Sequence, residues 1–389
     1  MKYEEINKRR NTMVILDVKL NNLYAFKNFH INFTYPKKIV DSSIKEEHLL
    51  NRPNFRYKKV NVLLGANATG KTTFGRIIMK IFNFMHKKNY EFITKIIRDF
   101  NKEASFVLDL ASENNFFYRV ACTVSPCVDG KYTIDNIHFE VRKERILVRD
   151  SYESCVKRME NKSYSPSDNY ITELEKMGEL AWMFEYPEDH DRVPNLPNKD
   201  EKFRTILEII LKSLDPSIQK VKISQDADNA YVIILPNNTI VIQKGQTMDI
   251  PLLSSGTKSG IVIANLVASL IKKSNSFYYC DEQFSYIHSD VEKALLSTMI
   301  DCVEPGEQLF FTTHNTDILD MNLPKHTFTF LRKDLNDTDH PIFCIEASSL
   351  LKRNTDSLRN AVENDLFSTA PNLELIYTIS DMLYEVEEV

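Results

Sequence analysis

The run Gly65-Ala66-Asn67-Ala68-Thr69-Gly70-Lys71-Thr72 has the spacing G-x-x-x-x-G-K-[ST], that of a phosphate loop. Its two glycines let the backbone turn so that N–H groups converge on an anion, and a following helix N-terminus adds donors and a positive dipole end. Lys71 would neutralise the β- and γ-phosphates and Thr72 would hold Mg2+, with Thr73 extending the same nucleotide-binding turn. A second chemical pair, Asp281 and Glu282, ends the apolar run Phe277-Tyr278-Tyr279-Cys280. Asp281 would hold Mg2+ through water, and Glu282 would polarise an attacking water. Ser254-Ser255-Gly256 precedes an apolar helix at 261–271 and offers a second anion site at a helix start. Nothing else in the chain is placed to use that site on the same nucleotide. His314 ends the run Gln308-Leu309-Phe310-Phe311-Thr312-Thr313.

Positioning these groups requires strands that end in them and helices that start at them. Val60-Asn61-Val62-Leu63-Leu64 is β-prone and apolar, and Phe74 to Phe82 has the apolar spacing of a buried helix, so the loop at 65–72 has the strand–loop–helix context it needs. Upstream, 13–20 and 26–33 read as strands, and the polar, basic stretch 36–58 reads as a loop. Residues 104–110, 116–124, 131–134 and 137–141 read as antiparallel strands, with a hairpin turn at Val128-Asp129-Gly130. Residues 150–200, rich in Ser, Glu, Asp and Pro, read as helices and loops inserted into the domain, and the Asp/His run at 188–191 reads as a solvated acidic loop. Phe203 to Leu214 forms an amphipathic helix stopped by Asp215-Pro216, and 231–235 and 239–242 form a strand pair. The tail from Ser348 reads as helical with an acidic end at 385–388.

Composition bounds the rest. The chain has 389 residues, 43% hydrophobic and 26% charged, which is ordinary for a globular protein of two or three structural units. A net charge of -5 supplies no global field toward DNA, and the basic runs at 8–10 and 142–145 read as solvated faces. The six cysteines form no C-x-x-C pair, which argues against zinc and fits a reducing cytoplasm. No apolar stretch has the length of a membrane span. Only nine glycines occur, and four of them (Gly65, Gly70, Gly256 and Gly260) fall in the two nucleotide motifs, where backbone must approach a ligand or turn sharply.

The order of these motifs resembles that of the ABC-type ATPases. Leu253-Ser254-Ser255-Gly256-Thr257-Lys258 resembles their signature loop, Phe277 to Glu282 their Walker B strand, Ser285 to Asp290 their D-loop, and Thr312-Thr313-His314 their switch histidine. The resemblance implies that Ser254, Ser255 and Gly256 bind the γ-phosphate held by the phosphate loop of an opposite protomer, and that His314 senses that phosphate. One family element is missing: no glutamine occurs between Lys71 and Gln219, so the usual Q-loop glutamine has no place. Within the family, the strand pair at 14–33 resembles the opening of the SMC/RecF/OLD-like AAA-family ATPases. Leu214 to Ile218 and Thr313 to Asp320 resemble stand-alone ATPases of bacterial abortive-infection and anti-phage systems. The roughly 180 residues between phosphate loop and signature are too few for a long coiled-coil arm. Asp337-Thr338-Asp339 mimics a Toprim acidic pair but reads better as a turn between strands.

The expected fold is therefore α/β, a P-loop NTPase of ABC-ATPase type: a mixed sheet with flanking helices, an antiparallel β subdomain and a helical insertion. The expected organisation is an N-terminal lobe over 1–145, an insertion over 146–215, a C-terminal lobe over 216–347 and a helical tail over 348–389. The expected activity is Mg2+-dependent ATP binding and hydrolysis, with Lys71, Glu282 and His314 catalytic, Gly65 to Thr73 and Ser254 to Gly256 binding nucleotide, and Thr72 and Asp281 on the metal. The resemblance implies a cytoplasmic homodimer or higher oligomer, with no membrane, acting on a separate effector, a nuclease or toxin, in phage defence. The alternatives are a RecF-like ATPase that binds nucleic acid in repair, and an ATP-locked scaffold without turnover.

Overall fold

The computed structural model describes residues 13–39, 42–166, 169–178, 180–187, 193–244, 253–334, 336–353, 356–368 and 376–379. The basic run at 8–10, the Asp/His run at 188–191 and the acidic end at 385–388 lie outside them. In chain order come β1 (Met13–Asn21), β2 (Phe29–Asn32), β3 (His48–Leu49), β4 (Arg52–Arg56), β5 (Val60–Leu64), α1 (Lys71–Lys87) and α2 (Glu91–Thr94). They are followed by β6 (Ala104–Ser112), β7 (Phe116–Val124), β8 (Ile137–Arg145), α3 (Tyr152–Glu160), α4 (Tyr170–Leu174), β9 (Trp182–Glu185) and α5 (Glu201–Leu214). The remainder comprises β10 (Lys220–Ile223), β11 (Ala230–Ile234), β12 (Thr239–Gln243), α6 (Ser255–Ile271), β13 (Phe277–Asp281), α7 (Ser289–Cys302), β14 (Gln308–Thr312), β15 (Phe328–Lys333), β16 (Ile342–Glu346), α8 (Ala347–Leu350) and α9 (Leu358–Glu363).

A six-stranded mixed sheet runs β16-β15-β5-β14-β13-β9. Every pairing in it is parallel except β15 with β16. All residues of β5, β13 and β14 are buried, as the continuous apolar runs require of strands covered on both faces. Because these three strands are parallel neighbours, their C-terminal ends deliver Gly65, Glu282 and Thr313 to one edge of the sheet, the place where open α/β sheets bind ligands. A five-stranded antiparallel sheet, β2-β1-β6-β7-β8, packs over α1. The rings of Phe26, Phe29 and Phe33 meet Phe74 of α1, fixing the first turn of that helix between the two sheets. On the other face of the mixed sheet, α5 and α6 pack together with the β10-β11-β12 meander.

Four local expectations are corrected. The stretch 36–58 contains the short hairpin β3–β4. Residues 131–134 are not a strand: short 3-10 turns at Val128–Gly130 and Ile134–Asn136 precede β8. Trp182–Glu185, within the stretch read as helices and loops, forms the edge strand of the mixed sheet beside β13. Gly260 approaches a neighbouring helix rather than a ligand, since a Cβ there would lie 2.6 Å from Leu214 of α5. Asp337 forms the expected turn between β15 and β16, its Oδ1 accepting from the backbone N–H of Asp339 and His340 at 2.9 and 2.8 Å.

Candidate nucleotide site

The loop after β5 takes its shape from Gly65 at φ 149° and Gly70 at φ 105°, with Ala68 also left-handed at 63°. A side chain at Gly65 would collide with the Leu331 carbonyl oxygen at 2.4 Å, so both space and φ require glycine there. Gly70 caps α1, and its carbonyl accepts the helix bond from Phe74 N–H at 2.8 Å. Lys71 folds back across the loop: Nζ donates to the carbonyls of Gly65 at 2.9 Å and Ala66 at 3.3 Å and lies 3.6 Å from Glu282 Oε1. Burial pulls the Lys71 ammonium below the ordinary lysine range, and Glu282 opposes that shift. Tyr279 OH donates to the Lys71 carbonyl at 2.7 Å, tying β13 to the first turn of α1. This contact needs Gly75 beneath it, because a Cβ there would sit 2.4 Å from the Tyr279 ring.

Asp281 is fully buried at the end of β13. Its two oxygens accept from Thr72 Oγ1 and Thr312 Oγ1, each at 2.6 Å, while burial raises its pKa. Glu282 adopts φ 48°, a left-handed conformation that breaks the strand direction after Asp281. Its N–H donates to Thr312 O and Oγ1, each at 3.1 Å, and its Oε1 accepts from His314 Nε2 at 2.7 Å. The His314 bond holds the Glu282 carboxyl below its usual range, and Lys71 adds to that effect. The chain therefore brings Gly65–Thr73, Asp281, Glu282 and His314 together at one sheet edge.

Ser254, Ser255 and Gly256 are not part of that cluster. Ser254 caps α6, its Oγ accepting from Thr257 N–H at 3.1 Å and meeting Thr257 Oγ1 at 2.8 Å. Gly256 faces the Tyr286 carbonyl, where a Cβ would lie 3.0 Å away. Among the described residues, no hydrogen bond or ion pair joins 254–256 to 65–73, 281–282 or 314.

Sequence reasoning missed several groups around the site. Glu292 of α7 is buried, with a pKa raised by burial, and accepts from Thr313 Oγ1 at 2.9 Å and Asn315 Nδ2 at 2.6 Å, fixing the segment around His314. Glu185, at the end of β9, pairs with Cys280 one residue before Asp281 and is the buried carboxylate that the sheet brings beside β13. A cavity of about 800 Å3 adjoins Thr73 and is lined by Tyr24, Arg76, Arg98, Lys333 and Asp337 among others.

Thr72 Oγ1 and the Asp281 carboxylate form a hard-oxygen pair that fits Mg2+, an ion that takes one or two protein oxygens and completes its shell with phosphate and water. No cluster of three His, Cys, Asp or Glu ligands occurs among the described residues. None of the helices described is long and apolar enough to cross a membrane.

No protein-family model matches the chain, and no curated protein does. Among solved structures, the chain is similar to an SMC head bound to the C-winged helix domain of ScpA, at 14% identity over 90% of this chain and 99% of that one, with a TM-score of 0.49. It is similar to the SMC head domain from Thermotoga maritima at 13% identity over 85% and 98%, TM-score 0.43. It is also similar to the recombination mediator protein RecF-ATPrS of the RecFOR pathway at 9% identity over 86% and 99%, TM-score 0.44.

Proposed function

We propose that the chain is a Mg2+-dependent ATPase that closes head to tail around ATP. The observation that supports this reading is the convergence of Lys71, Thr72, Asp281, Glu282 and His314 at the C-terminal ends of three adjacent parallel strands. The triphosphate would lie on the backbone N–H groups of 66–72 at the start of α1, where the helix dipole favours negative charge. Lys71 would exchange the Gly65 and Ala66 carbonyls for phosphate oxygens, a stronger charge-assisted contact. Thr72 and Asp281 would hold Mg2+, which supplies charge neutralisation at the phosphates. Glu282, ionised and oriented by His314, would align the attacking water. The cavity beside Thr73 would take the base and ribose, with Tyr24 offering an aromatic face.

Because 254–256 make no hydrogen bond to the loop of their own chain, we assign them to the γ-phosphate of a partner copy. ATP then bridges the two lobes read at 1–145 and 216–347 and two such chains. We place the output in control of a separate effector, a nuclease or toxin, in phage defence. That role rests on the sequence resemblance of 214–218 and 313–320 alone.

The test is ATP turnover by wild type and Lys71→Ala, together with the mass in solution of Glu282→Gln protein with and without Mg-ATP. Lys71-dependent turnover and an ATP-dependent dimer, or an ATP-dependent change within a larger assembly, are expected. An unchanged monomer that still binds ATP would remove the trans role of 254–256. ATP-dependent assembly without turnover would favour the scaffold.

A further inference from the structure

We propose that Arg359 is a positioning residue for hydrolysis, through which α9 holds the turn that follows His314. The proposal rests on the ATPase reading above. After β14 the chain passes His314 and enters a 3-10 turn at Thr316–Asp320. In such a turn residues three apart are eclipsed, so Asp317 and Asp320 present their carboxylates on one side and repel. The Arg359 guanidinium lies between them: Nη2 donates to Asp317 Oδ1 at 2.9 Å and Nε to Asp320 Oδ1 at 2.7 Å.

The clamp leads straight back to the site. Asp317 Oδ2 accepts from Ser289 Oγ at the start of α7, and Asp317 N–H donates to Asn315 Oδ1 at 2.9 Å. Asn315 Nδ2 in turn donates to the buried Glu292 at 2.6 Å. His314 is the residue before Asn315, and its Nε2 reaches Glu282 at 2.7 Å. One guanidinium therefore ties α9, α7 and the His314 segment into a single hydrogen-bonded unit. The segment that carries Arg359 is anchored independently: Leu358, the first residue of α9, is buried, and beyond the helix the fully buried Phe367 stacks on Phe330 of β15 with centroids 4.0 Å apart.

Exposure separates this role from a stabilising one. The Asp317 and Asp320 side chains are 45% and 55% exposed, so these ion pairs add little to folding. What the pairs supply is the geometry of the turn, and misplacing a catalytic group by an ångström slows a reaction on the order of a hundredfold.

The experiment compares wild type, Arg359→Ala, Arg359→Lys, His314→Ala and the Arg359→Ala/His314→Ala double variant, measuring kcat, Kd for Mg-ATP and melting temperature. Arg359→Ala should lower kcat about tenfold or more while Kd stays within roughly twofold and the melting temperature holds. Arg359→Lys, which keeps one ion pair, should recover part of the loss. In the His314→Ala background, Arg359→Ala should have no further effect, because both act on one step. Wild-type kcat in Arg359→Ala, a Kd that weakens in step with kcat, or independent multiplication of the two losses would each overturn the assignment while leaving the ATPase reading intact. Absence of Lys71-dependent turnover in wild type would overturn both.

Discussion

Replacing Glu282 with glutamine should separate ATP binding from ATP hydrolysis. The amide is isosteric with the carboxyl and can still accept from His314 Nε2, 2.7 Å away in the native chain, so the left-handed backbone at 282 and the fold are retained. What disappears is a negative charge 3.6 Å from Lys71 Nζ. Two unit charges at that separation attract by about 5 kcal/mol at an effective dielectric constant of 20. Partial exposure of Glu282 and the competing carbonyl bonds of Lys71 reduce the effect on binding to about 1 kcal/mol. The sign is clear: the same carboxylate attracts Lys71 and repels an incoming phosphate, so its removal frees the lysine and lowers the repulsion. ATP affinity should hold or tighten, by up to roughly fivefold for 1 kcal/mol. Turnover should fall by about 100- to 10,000-fold, the range for losing a positioned base. Equilibrium titration with Mg-ATP and single-turnover phosphate release measure the two separately. Turnover equal to wild type, or a Kd as weak as that of Lys71→Ala, would refute this placement of Glu282.

Three further outcomes follow from the same geometry. Tyr24→Ala should weaken ATP binding by about 1–3 kcal/mol if the ring stacks on the base, while affinity for inorganic triphosphate, which lacks a base, should not change. Removing Mg2+ with a chelator should weaken ATP binding in wild type, because Asp281 and Glu282 outweigh the single charge of Lys71. Asp281→Asn should narrow the gap between ATP and Mg-ATP, measured by titration. Far from the site, burial raises the Glu307 carboxyl from 4.5 to about 7, opposed by the hydrogen bond from the Glu304 backbone N–H and by the lysines at 273 and 59, while the Glu304 charge adds repulsion. A raised carboxyl pKa favours the protonated folded form, so this contribution to stability is present below pH 4.5 and is lost as pH rises through about 7. Glu307→Gln should remove that slope and raise stability at pH 8 by at most about 3 kcal/mol, read from urea unfolding at pH 5 and pH 8.

The site's strands were legible because they must be buried on both faces. Val60–Leu64, Phe277–Asp281 and Gln308–Thr312 are mostly apolar, β-prone runs, each leading into residues whose chemistry identifies it: the loop at 65–72, Asp281-Glu282 and Thr313-His314. β9 was not legible, since Trp182–Glu185 is four residues long and lies between polar stretches, and only its parallel pairing with β13 makes it a strand. The β3–β4 hairpin escaped because Arg52-Pro53-Asn54-Phe55-Arg56 carries a proline and no apolar alternation. Glu292 lies in the first turn of α7, a helix absent from the sequence reading, and its burial against Thr313 and Asn315 is a tertiary fact. The cavity beside Thr73 draws its lining from the β1–β2 connection, α1, the segment after α2 and the β15–β16 turn, which no local pattern joins. Arg359 is separated from Asp317 by 42 positions, so its pairing is equally invisible before folding.

The carbonyl partners of Lys71 are ones that a phosphate could replace, whereas the donors to Glu282 and Asp281 are not, because phosphate only accepts. Lys71 is held by its own loop carbonyls, Glu282 by His314, and Asp281 by two threonine hydroxyls. These groups belong to strands locked side by side, so none can move without affecting its neighbours: Tyr279 links β13 to α1, and Glu292 links the end of β14 to α7. On the proposed reading, exchanging the carbonyls for a γ-phosphate alters Lys71 and Glu282 together, because one carboxylate faces both the lysine and His314. The change reaches Asn315 and Asp317 through adjacent residues of one turn and stops at Arg359, whose helix is anchored separately on β15. On that reading, the presence of one phosphate bears on the hydrogen bonds that join α7, the His314 segment and α9. On the same reading, anything that shifted α9 would in turn change the rate of hydrolysis through the turn after His314.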